Sequence, residues 1–240
     1  MNRNDNSANG YTIAIAIGCL VALFVSPVHG EERVQPKTTA NPGDINLQVS
    51  RVYTFADKTG FGHQHAIEGR LASGNLELGA SLDAGQLIFD MKSFDADTAK
   101  ARQYLGLEGT TGDSTRSQVT ANMRGNDVLD VGRYPTAIFN VVSALPTGQA
   151  SQRGLPRYEL VGSFTLHGVK KPIRVIVDVE QARGWLHVRG NFAVKQTAFG
   201  ITPYSKAFGT IGVADELRIH GDLWVAPSTQ VSMSEIPEHK

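Results

Sequence analysis

The chain has 240 residues, a length at which an all-β barrel or sandwich commonly forms one domain around a single core. Hydrophobic residues make up 41% and charged residues 19%, with 25 glycines and 10 prolines, and this turn-rich balance excludes a mainly disordered chain. Lysine plus arginine and aspartate plus glutamate both number 23. The overall charge therefore favours neither nucleic acid nor an anionic membrane surface, and no nucleic-acid partner is predicted.

The N-terminal segment differs from the rest of the chain. Arg3 precedes an apolar stretch at 12–25, and small residues follow near Gly30. This stretch is shorter than the roughly 20 residues that a membrane-spanning helix needs. Residues 1–30 are therefore predicted to be a signal peptide for export to the periplasm or the exterior, with an uncleaved anchor as the alternative. The only cysteine, Cys19, lies inside this segment, so the exported protein would have no disulfide.

The two flanks of the remaining chain contrast with its middle. Residues 31–44 are polar with two prolines and are predicted to be a flexible linker. Residues 227–240 lack an apolar period and are predicted to be a disordered tail. Between 45 and 226 the apolar residues recur with a period of two, which is typical of strands with one buried face. This segment is predicted to be one barrel domain.

Alternating segments predict the strands. The segment 53–61 is the first, and alternation at 76–82 and 87–91 around a turn at 83–85 predicts a hairpin. Five more alternating segments follow, at 137–145, 158–166, 173–179, 186–194 and 217–225. About eight strands with short turns predict an all-β fold, either a sandwich or an antiparallel barrel whose closure removes exposed edges.

One insertion interrupts this alternation of apolar and polar residues. Segments 96–105 and 115–129 lack alternation and carry helix formers. Within the second segment, Val119 and Met123 are spaced to share one helical face. The insertion is predicted to form short helices that cap one end of the barrel.

The histidines are the residues with the best potential for chemistry. His63 and His65 lie two apart, so on a strand they would point to the same side and could share a metal ion or a haem. They are in phase with Phe61 and Ile67 and are therefore predicted to line the interior, where a purely structural role is the alternative. Three other histidines are out of phase with their own strands and are predicted to face water, namely His167, His187 and His220.

Motifs for enzymatic chemistry are missing from the sequence. It contains no Gly-x-Ser-x-Gly elbow, no His-Glu-x-x-His helix and no phosphate-cradling glycine loop. Asp95 and Asp97 lie at a predicted helix start, where capping explains them better than acid–base catalysis. The sequence therefore predicts a protein that is not an enzyme and needs no cofactor.

The predicted inward face is large and apolar. Its members are Phe89, Met91, Phe139, Phe164, Leu166, Val175, Val177, Val188, Phe192 and Ile219. An eight-stranded barrel can be filled by such side chains or can hold one ligand among them. Periodicity leaves both alternatives open.

Three segments resemble one known family. Residues 130–139 carry a valine, a Tyr-Pro pair and a phenylalanine, which is similar to a strand entry of the YceI family of polyisoprenoid-binding proteins. Residues 158–172 resemble its hairpin, with Gly168–Pro172 matching the turn between two strands. Residues 190–201 resemble its strand that ends in an aromatic-Gly-Ile bend, and Val213–Leu217 match the entry to its last strand. The resemblance covers about 45–225.

The resemblance implies a fold and a ligand. It implies an extended lipocalin-like barrel, exported to the periplasm, that holds an isoprenoid or other long-chain lipid in an apolar tunnel lined by the ten residues above. Transient membrane contact and a homodimer are left open. Gln196 stands where many relatives carry a basic residue, and the His63–His65 pair is unusual, so both are expected to alter head-group choice. The alternatives are a metal or haem barrel that uses these histidines and a module that binds a partner through 96–130.

Overall fold

The computed structural model describes residues 40–227, and within them the fold is a closed antiparallel barrel. Its strands are β1 (Arg51–Gly60), β2 (His65–Leu76), β3 (Gly85–Ala96), β4 (Thr136–Ala150), β5 (Pro156–Leu166), β6 (Val169–Ala182), β7 (Trp185–Lys195), β8 (Ser205–Lys206) and β9 (Ile211–Val225). Neighbouring strands pair in chain order, and β9 pairs with both β7 and β1. Eight long strands therefore form a ring, with the two-residue β8 added beside β9, and the prediction of an all-β barrel is confirmed.

The closing seam joins the first and last long strands. β1 pairs with β9 from Arg51 opposite Asp222 to Gly60 opposite Ile211, with one irregularity between Ala56 and Lys58. Because the seam runs along the whole of β1, the first and last long strands are paired with each other and the ring is closed.

The first predicted hairpin was misplaced. The strand lies at His65–Leu76, whereas 77–84 forms a loop in which Leu82 is 72% exposed. The alternation of β2 was hidden by Gly69, where a Cβ would lie 2.4 Å from the ring of Phe94. An aromatic ring from β3 thus fills the space that an apolar side chain of β2 would otherwise occupy.

The second hairpin forms as predicted, but its turn is tighter. His167 and Gly168 both have positive φ, at 51° and 76°, as a two-residue turn between right-twisted strands requires. Val169–Pro172 were predicted to belong to the turn, yet they already pair with Leu166–Ser163 as the start of β6.

The predicted helical insertion is present as α1 (Ala99–Tyr104) and α2 (Asp113–Arg124). The hydroxyl of Thr98 caps α1 by accepting the N–H of Ala101 at 3.0 Å. α1 packs on the outer face of the barrel, where Tyr104 stacks on Tyr53 with ring centroids 3.9 Å apart. Only α2 lies over the barrel interior, so the prediction that 96–105 helps to cap the end was wrong. Within 40–227, no helix has both the length and the apolarity needed to cross a bilayer.

One end of the barrel is filled by side chains. Ile45 bridges to Val225 across this end, and Gly43 donates to the carbonyl of Ala226 at 2.9 Å. The buried side chains packed here are those of Ile45, Leu76, Leu78, Ala144, Leu155, Leu186 and Val225. Residues 41–44, which were assigned to the linker, are thus hydrogen-bonded to the barrel. The predicted signal peptide, residues 31–39 of the linker and residues 228–240 of the tail lie outside the described residues.

Candidate functional site

The opposite half of the barrel encloses an apolar cavity. About 1520 Å³ inside it, including its opening, is free of protein atoms. All eight long strands and α2 contribute to its wall. The ten residues predicted to form the inward face all line it: Phe89, Met91, Phe139, Phe164, Leu166, Val175, Val177, Val188, Phe192 and Ile219. Their binding of lipid remains a prediction.

The volume of the cavity distinguishes a barrel that is filled by side chains from one that is hollow. The space open to the centre of a water molecule is about 200 Å³, whereas holding one water requires only roughly 10–15 Å³ on that measure. Protein interiors contain few voids larger than a single water. This half of the barrel is therefore hollow.

Three aromatic rings of the cavity wall, Phe89, Phe164 and Phe192, form a cluster with the buried Phe199, which is not part of the lining. Phe164 lies at their centre, with its ring centroid 6.5 Å from Phe89, 5.6 Å from Phe192 and 5.9 Å from Phe199, and all three contacts are edge-to-face. Each such contact adds about 0.5–1.5 kcal/mol beyond the area buried. The aromatic part of the wall is therefore anchored by ring contacts with the core.

The cavity opens between α2 and the segment 204–217. Lining residues deep in the barrel, such as Leu160 and Val188, are buried, whereas Asn122, Tyr204 and Leu217 keep part of their surface exposed. The amide of Asn122 donates to the hydroxyl of Tyr204 at 3.2 Å and so ties α2 to this segment. The opening therefore has a hydrogen-bonded polar edge above an apolar interior.

Two further polar lining residues lie at the same end, because His65 begins β2 and Gln196 follows β7. Gln196 is buried and donates to the carbonyl of Ala214 at 2.8 Å. The neutral amide of Gln196 thus bonds to the backbone of β9, and its effect on head-group choice stays a prediction.

His65 is oriented by a fully buried carboxylate. The pKa of Asp97 is held below its ordinary value, because hydrogen bonds from His65 and the N–H of Ala66 outweigh the burial that would raise it. The ionised carboxylate can only accept, so Nδ1 of His65 donates to it over 2.8 Å. Arg102 completes the group at 3.2 Å from Asp97. Nε2 is therefore the ring nitrogen of His65 that Asp97 does not contact.

The structure brings His63 and His65 together but places only His65 on the cavity wall. β1 ends at Gly60, so Phe61 is 90% exposed and His63 lies in an exposed loop. The prediction that both histidines line the interior was therefore wrong for His63. Their rings are 4.5 Å apart, and candidate ligand atoms of His63, His65 and Asp97 all lie within 4.8 Å of one another.

The other histidines within the described residues, His167, His187 and His220, lie outside the cavity, as predicted, but two are covered rather than freely solvated. His187 is paired with Asp222 and stacks on Trp224 with ring centroids 4.2 Å apart. His220 is partly buried beneath Tyr104, at 6.4 Å between centroids. The helix α1 covers His220, whereas Asp222 and Trp224 of β9 cover His187, and strand periodicity contains no signal for either contact.

Sequence reasoning missed several residues of the opening. They are Thr54, Asn122, Tyr204 and Val213. Thr54 lies in an alternating segment, so the period of two could have assigned it to the inward face. The others lie on α2, in turns or at a strand entry, where a period of two does not apply.

Comparisons with known proteins agree with this architecture. A family model described as the YceI-like domain matches residues 44–224. A UPF0312 protein from Vibrio campbellii is 27% identical over 221 residues, covering 89% of this chain and 95% of that protein. A UPF0312 protein from Azotobacter vinelandii is 30% identical over 82 residues, covering 34% of this chain and 40% of that protein.

Solved structures show the same fold. BcnA from Burkholderia cenocepacia superposes with a TM-score of 0.53 at 21% identity, covering 75% of this chain and 99% of that chain. A polyisoprenoid binding domain from Saccharophagus degradans, implicated in plant cell wall breakdown, superposes with a TM-score of 0.50 at 13% identity, covering 79% and 100%. At these identities the likeness establishes the fold alone. The family match extends across the whole barrel, and the chain belongs to the family of YceI-like domains.

Proposed function

We propose that this protein binds a polyisoprenoid or a similar amphipathic lipid in its cavity and acts, after export, as a lipid carrier or sequestering protein. The observation that carries the proposal is a hollow, apolar half-barrel with its polar groups gathered at the opening. The structural neighbour described as a polyisoprenoid binding domain supports the same ligand class. Under this proposal the protein is a binding protein without catalytic residues or a cofactor.

The cavity has the size and chemistry for several isoprene units. Four units contain roughly 20 carbons, and at about 30 Å³ each, the share of one liquid water, they need roughly 600 Å³. Burying them contributes a gross ~16 kcal/mol at about 0.8 kcal/mol per CH₂-sized group. Lost chain freedom and association entropy offset much of that sum, so affinity between micromolar and nanomolar is expected.

The polar edge favours an uncharged head group. Among the described residues that line the cavity there is no lysine, arginine, aspartate or glutamate. A diphosphate buried inside the cavity would have no cation among the lining residues, and Lys206 near Tyr204 lies exposed outside that lining. A quinone oxygen can instead accept hydrogen bonds from the amide of Asn122 and the hydroxyl of Tyr204, and an alcohol can also bond to His65, so the proposed ligand carries a neutral oxygen head group.

Mass spectrometry of organic extracts from the gently purified protein tests the proposal. A prenyl lipid present in stoichiometric amount is the expected result, because an apolar cavity retains what it has bound. Protein that is empty after purification and takes up no added isoprenoid quinone or alcohol would overturn it.

A charged residue in the wall should abolish binding. Phe192 lines the cavity and is only partly buried, so Phe192→Glu places a carboxylate against the lipid while changing the packed core little. The matched control is Ile176→Glu on the neighbouring strand, where the side chain is 44% exposed. Loss of lipid from the first variant alone is expected in the extracts, and equal lipid in both folded variants would contradict the cavity assignment.

Export belongs to the proposal as well. A chain that begins near residue 31 in the periplasmic or secreted fraction, identified by N-terminal sequencing, is the expected form. Full-length protein confined to the cytoplasmic fraction would contradict export while leaving lipid binding unaffected.

A metal or haem site is the second candidate, because His63, His65 and Asp97 form a compact cluster. Both oxygens of Asp97 already accept hydrogen bonds, from His65 on one side and from Ala66 and Arg102 on the other. Asp97 is therefore better suited to orient a ligand than to bind the ion directly. Metal analysis and the absorption spectrum of the parent protein decide the matter, and any metal or Soret band must disappear in His63→Ala and His65→Ala variants.

A further inference from the structure

Two phenylalanines project into solvent at the end of the barrel where the cavity opens. Phe61 is 90% and Phe208 110% exposed, and Ile211 beside them is 45% exposed. The segments that carry them are joined, since Gly60 pairs with Ile211 and the N–H of Phe61 donates to the carbonyl of Thr210 at 2.9 Å. We call residues 58–64 and 204–212 together the aromatic tip.

The backbone holds the aromatic tip in a fixed and strained form. Phe208 has φ 54° and its neighbour Ala207 has φ 50°, both in the left-handed region that L-residues with side chains rarely adopt. Such a conformation is unfavourable and persists only where the surrounding structure maintains it. The hydroxyl of Thr210 donates to the carbonyl of Ala207 at 2.8 Å and closes this turn. A glycine or an asparagine would fit position 208 with less strain, so folding alone does not explain a solvent-facing phenylalanine.

The aromatic tip is continuous with the cavity. Tyr204 lines the opening and belongs to the tip, and Val213 lines it directly after the tip. The ammonium of Lys206 lies 5.6 Å from the ring centroid of Tyr204. Whatever surface the phenylalanines enter would therefore be brought against the opening.

The charges of the tip favour an anionic surface. Within 58–64 and 204–212 the formally charged residues are Lys58 and Lys206, and both are exposed. The carboxylate of Asp57, next to Lys58 in the chain, accepts a hydrogen bond from the Gln64 side chain at 3.1 Å. Lysines flanking projecting aromatic rings are the arrangement that suits a lipid head-group layer, where the rings enter and the ammonium groups remain at the surface. The attraction is local, because the net charge of the chain is zero.

We propose that the aromatic tip docks the protein on an anionic lipid bilayer, with Phe61 and Phe208 inserted and Lys58 and Lys206 at the head groups. Docking seats the cavity opening on the membrane that supplies its lipid. The supply of lipid from the membrane to the cavity rests on the proposed lipid-binding function, whereas docking can be measured without it.

Vesicle co-sedimentation of the purified full-length protein tests the docking. The vesicles contain phosphatidylglycerol with phosphatidylethanolamine, and pure phosphatidylcholine serves as the neutral comparison. The parent protein should bind the anionic vesicles, and binding should weaken with added salt. Phe61→Ser and Phe208→Ser should each lower the partition coefficient about tenfold, the amount expected from losing one inserted phenylalanine. Lys58→Gln with Lys206→Gln should reduce the preference for anionic vesicles.

Leu82→Ser is the matched control, because Leu82 is a large apolar residue, 72% exposed, in the loop beside the filled end. It should bind like the parent. A parent that does not bind, or phenylalanine variants that bind equally well, would overturn the proposal. Phenylalanine-dependent self-association without vesicle binding would also overturn it and assign the tip to a protein contact.

Organic extracts of the same proteins separate this proposal from the preceding one. Phenylalanine variants that carry normal lipid but no longer bind vesicles support docking by the tip. An empty parent protein that still binds vesicles through Phe61 and Phe208 would support docking and remove the lipid-carrier function.

Discussion

At the residue scale, Asp97 connects three parts of the structure. Its side chain is fully buried, and it bonds to the backbone of β2 at Ala66, to His65 at the cavity and to Arg102 of α1. It also has φ 54°, a conformation that aspartate tolerates better than most residues. One carboxylate therefore determines both the start of β2 and the orientation of a lining histidine.

Replacing Asp97 by alanine should destabilise the protein strongly. The change removes the acceptor of the Ala66 N–H and the carboxylate partner of Arg102, which keeps only its bonds to two backbone carbonyls, and breaking a buried pair costs about 3–5 kcal/mol. Urea unfolding measures this loss in the free energy of unfolding. Asp113→Ala is the control, because the Asp113 side chain is 97% exposed, and its effect should stay within about 0.5 kcal/mol. A loss below about 1 kcal/mol for Asp97→Ala would show that the network contributes little.

His220 should make stability depend on pH. Burial lowers the pKa of His220 below its ordinary value of 6.5, and the nearby Arg218 lowers it further. At pH values well above 6.5, the imidazole of His220 is unprotonated in both the folded and the unfolded state. As the pH falls below this value, the unfolded state takes up the proton first, so folding stability decreases.

The expected result is a flatter pH profile in His220→Gln. Urea midpoints measured at several pH values between neutrality and about pH 5, within the histidine titration range, should fall more steeply for the parent than for the variant. Identical slopes would show that His220 does not contribute to acid sensitivity.

At the element scale, glycines allow neighbouring strands to approach. A Cβ on Gly162 of β5 would lie 2.0 Å from the carbonyl oxygen of Asn140 on β4, beside the irregular pairing between Val141 and Ser143. A side chain here can be accommodated only if β4 moves. Gly162 is thus required by the packing of two backbones and not by a turn.

Gly162→Ala should therefore cost about 1–3 kcal/mol, as overpacking does in a dense core. Gly221→Ala on β9 is the matched control, because a Cβ there has no neighbour closer than 4.0 Å. The control should be neutral or slightly stabilising, by up to about 1 kcal/mol, through the unfolded state. Equal effects of the two substitutions on urea unfolding would contradict this account of β4 and β5.

At the scale of the whole molecule, the barrel combines a filled half with a hollow half. The filled end includes Leu76, Leu155 and Val225, each buried to within 1%. This core and the β1–β9 seam do not depend on a ligand for their contacts. The protein should therefore stay folded after its lipid is removed, although it should be less stable.

Lipid removal should lower the melting temperature, and added lipid should restore it. A ligand present at 100 times its Kd stabilises the folded state by about 2.7 kcal/mol. For a domain of this size that corresponds to roughly 5–10 °C, at about 2–4 °C per kcal/mol. Differential scanning calorimetry of extracted and reloaded protein measures the shift. Phe192→Glu should show no shift in melting temperature. A parent protein that melts at the same temperature with and without lipid would contradict stoichiometric binding.

The site was predictable where local periodicity carried the information. All ten apolar residues assigned to the inward face line the cavity, because a period of two places them on one side of each strand. β2 was missed, since Gly69 replaces an apolar residue beneath Phe94. The polar edge formed by Asn122 and Tyr204 was also missed, because these residues are far apart in the sequence and meet only when α2 crosses the barrel end.

The sequence by itself determined the family, the all-β barrel and its inward apolar face, since these depend on motifs and on the alternation of neighbouring residues. Only the tertiary structure decided that one half is hollow, because free volume depends on how side chains from eight strands meet across the interior. It alone also placed Asp97 behind His65 and set Phe61 beside the turn of Phe208. Each of these features is a contact between distant segments, and no local pattern specifies such a contact.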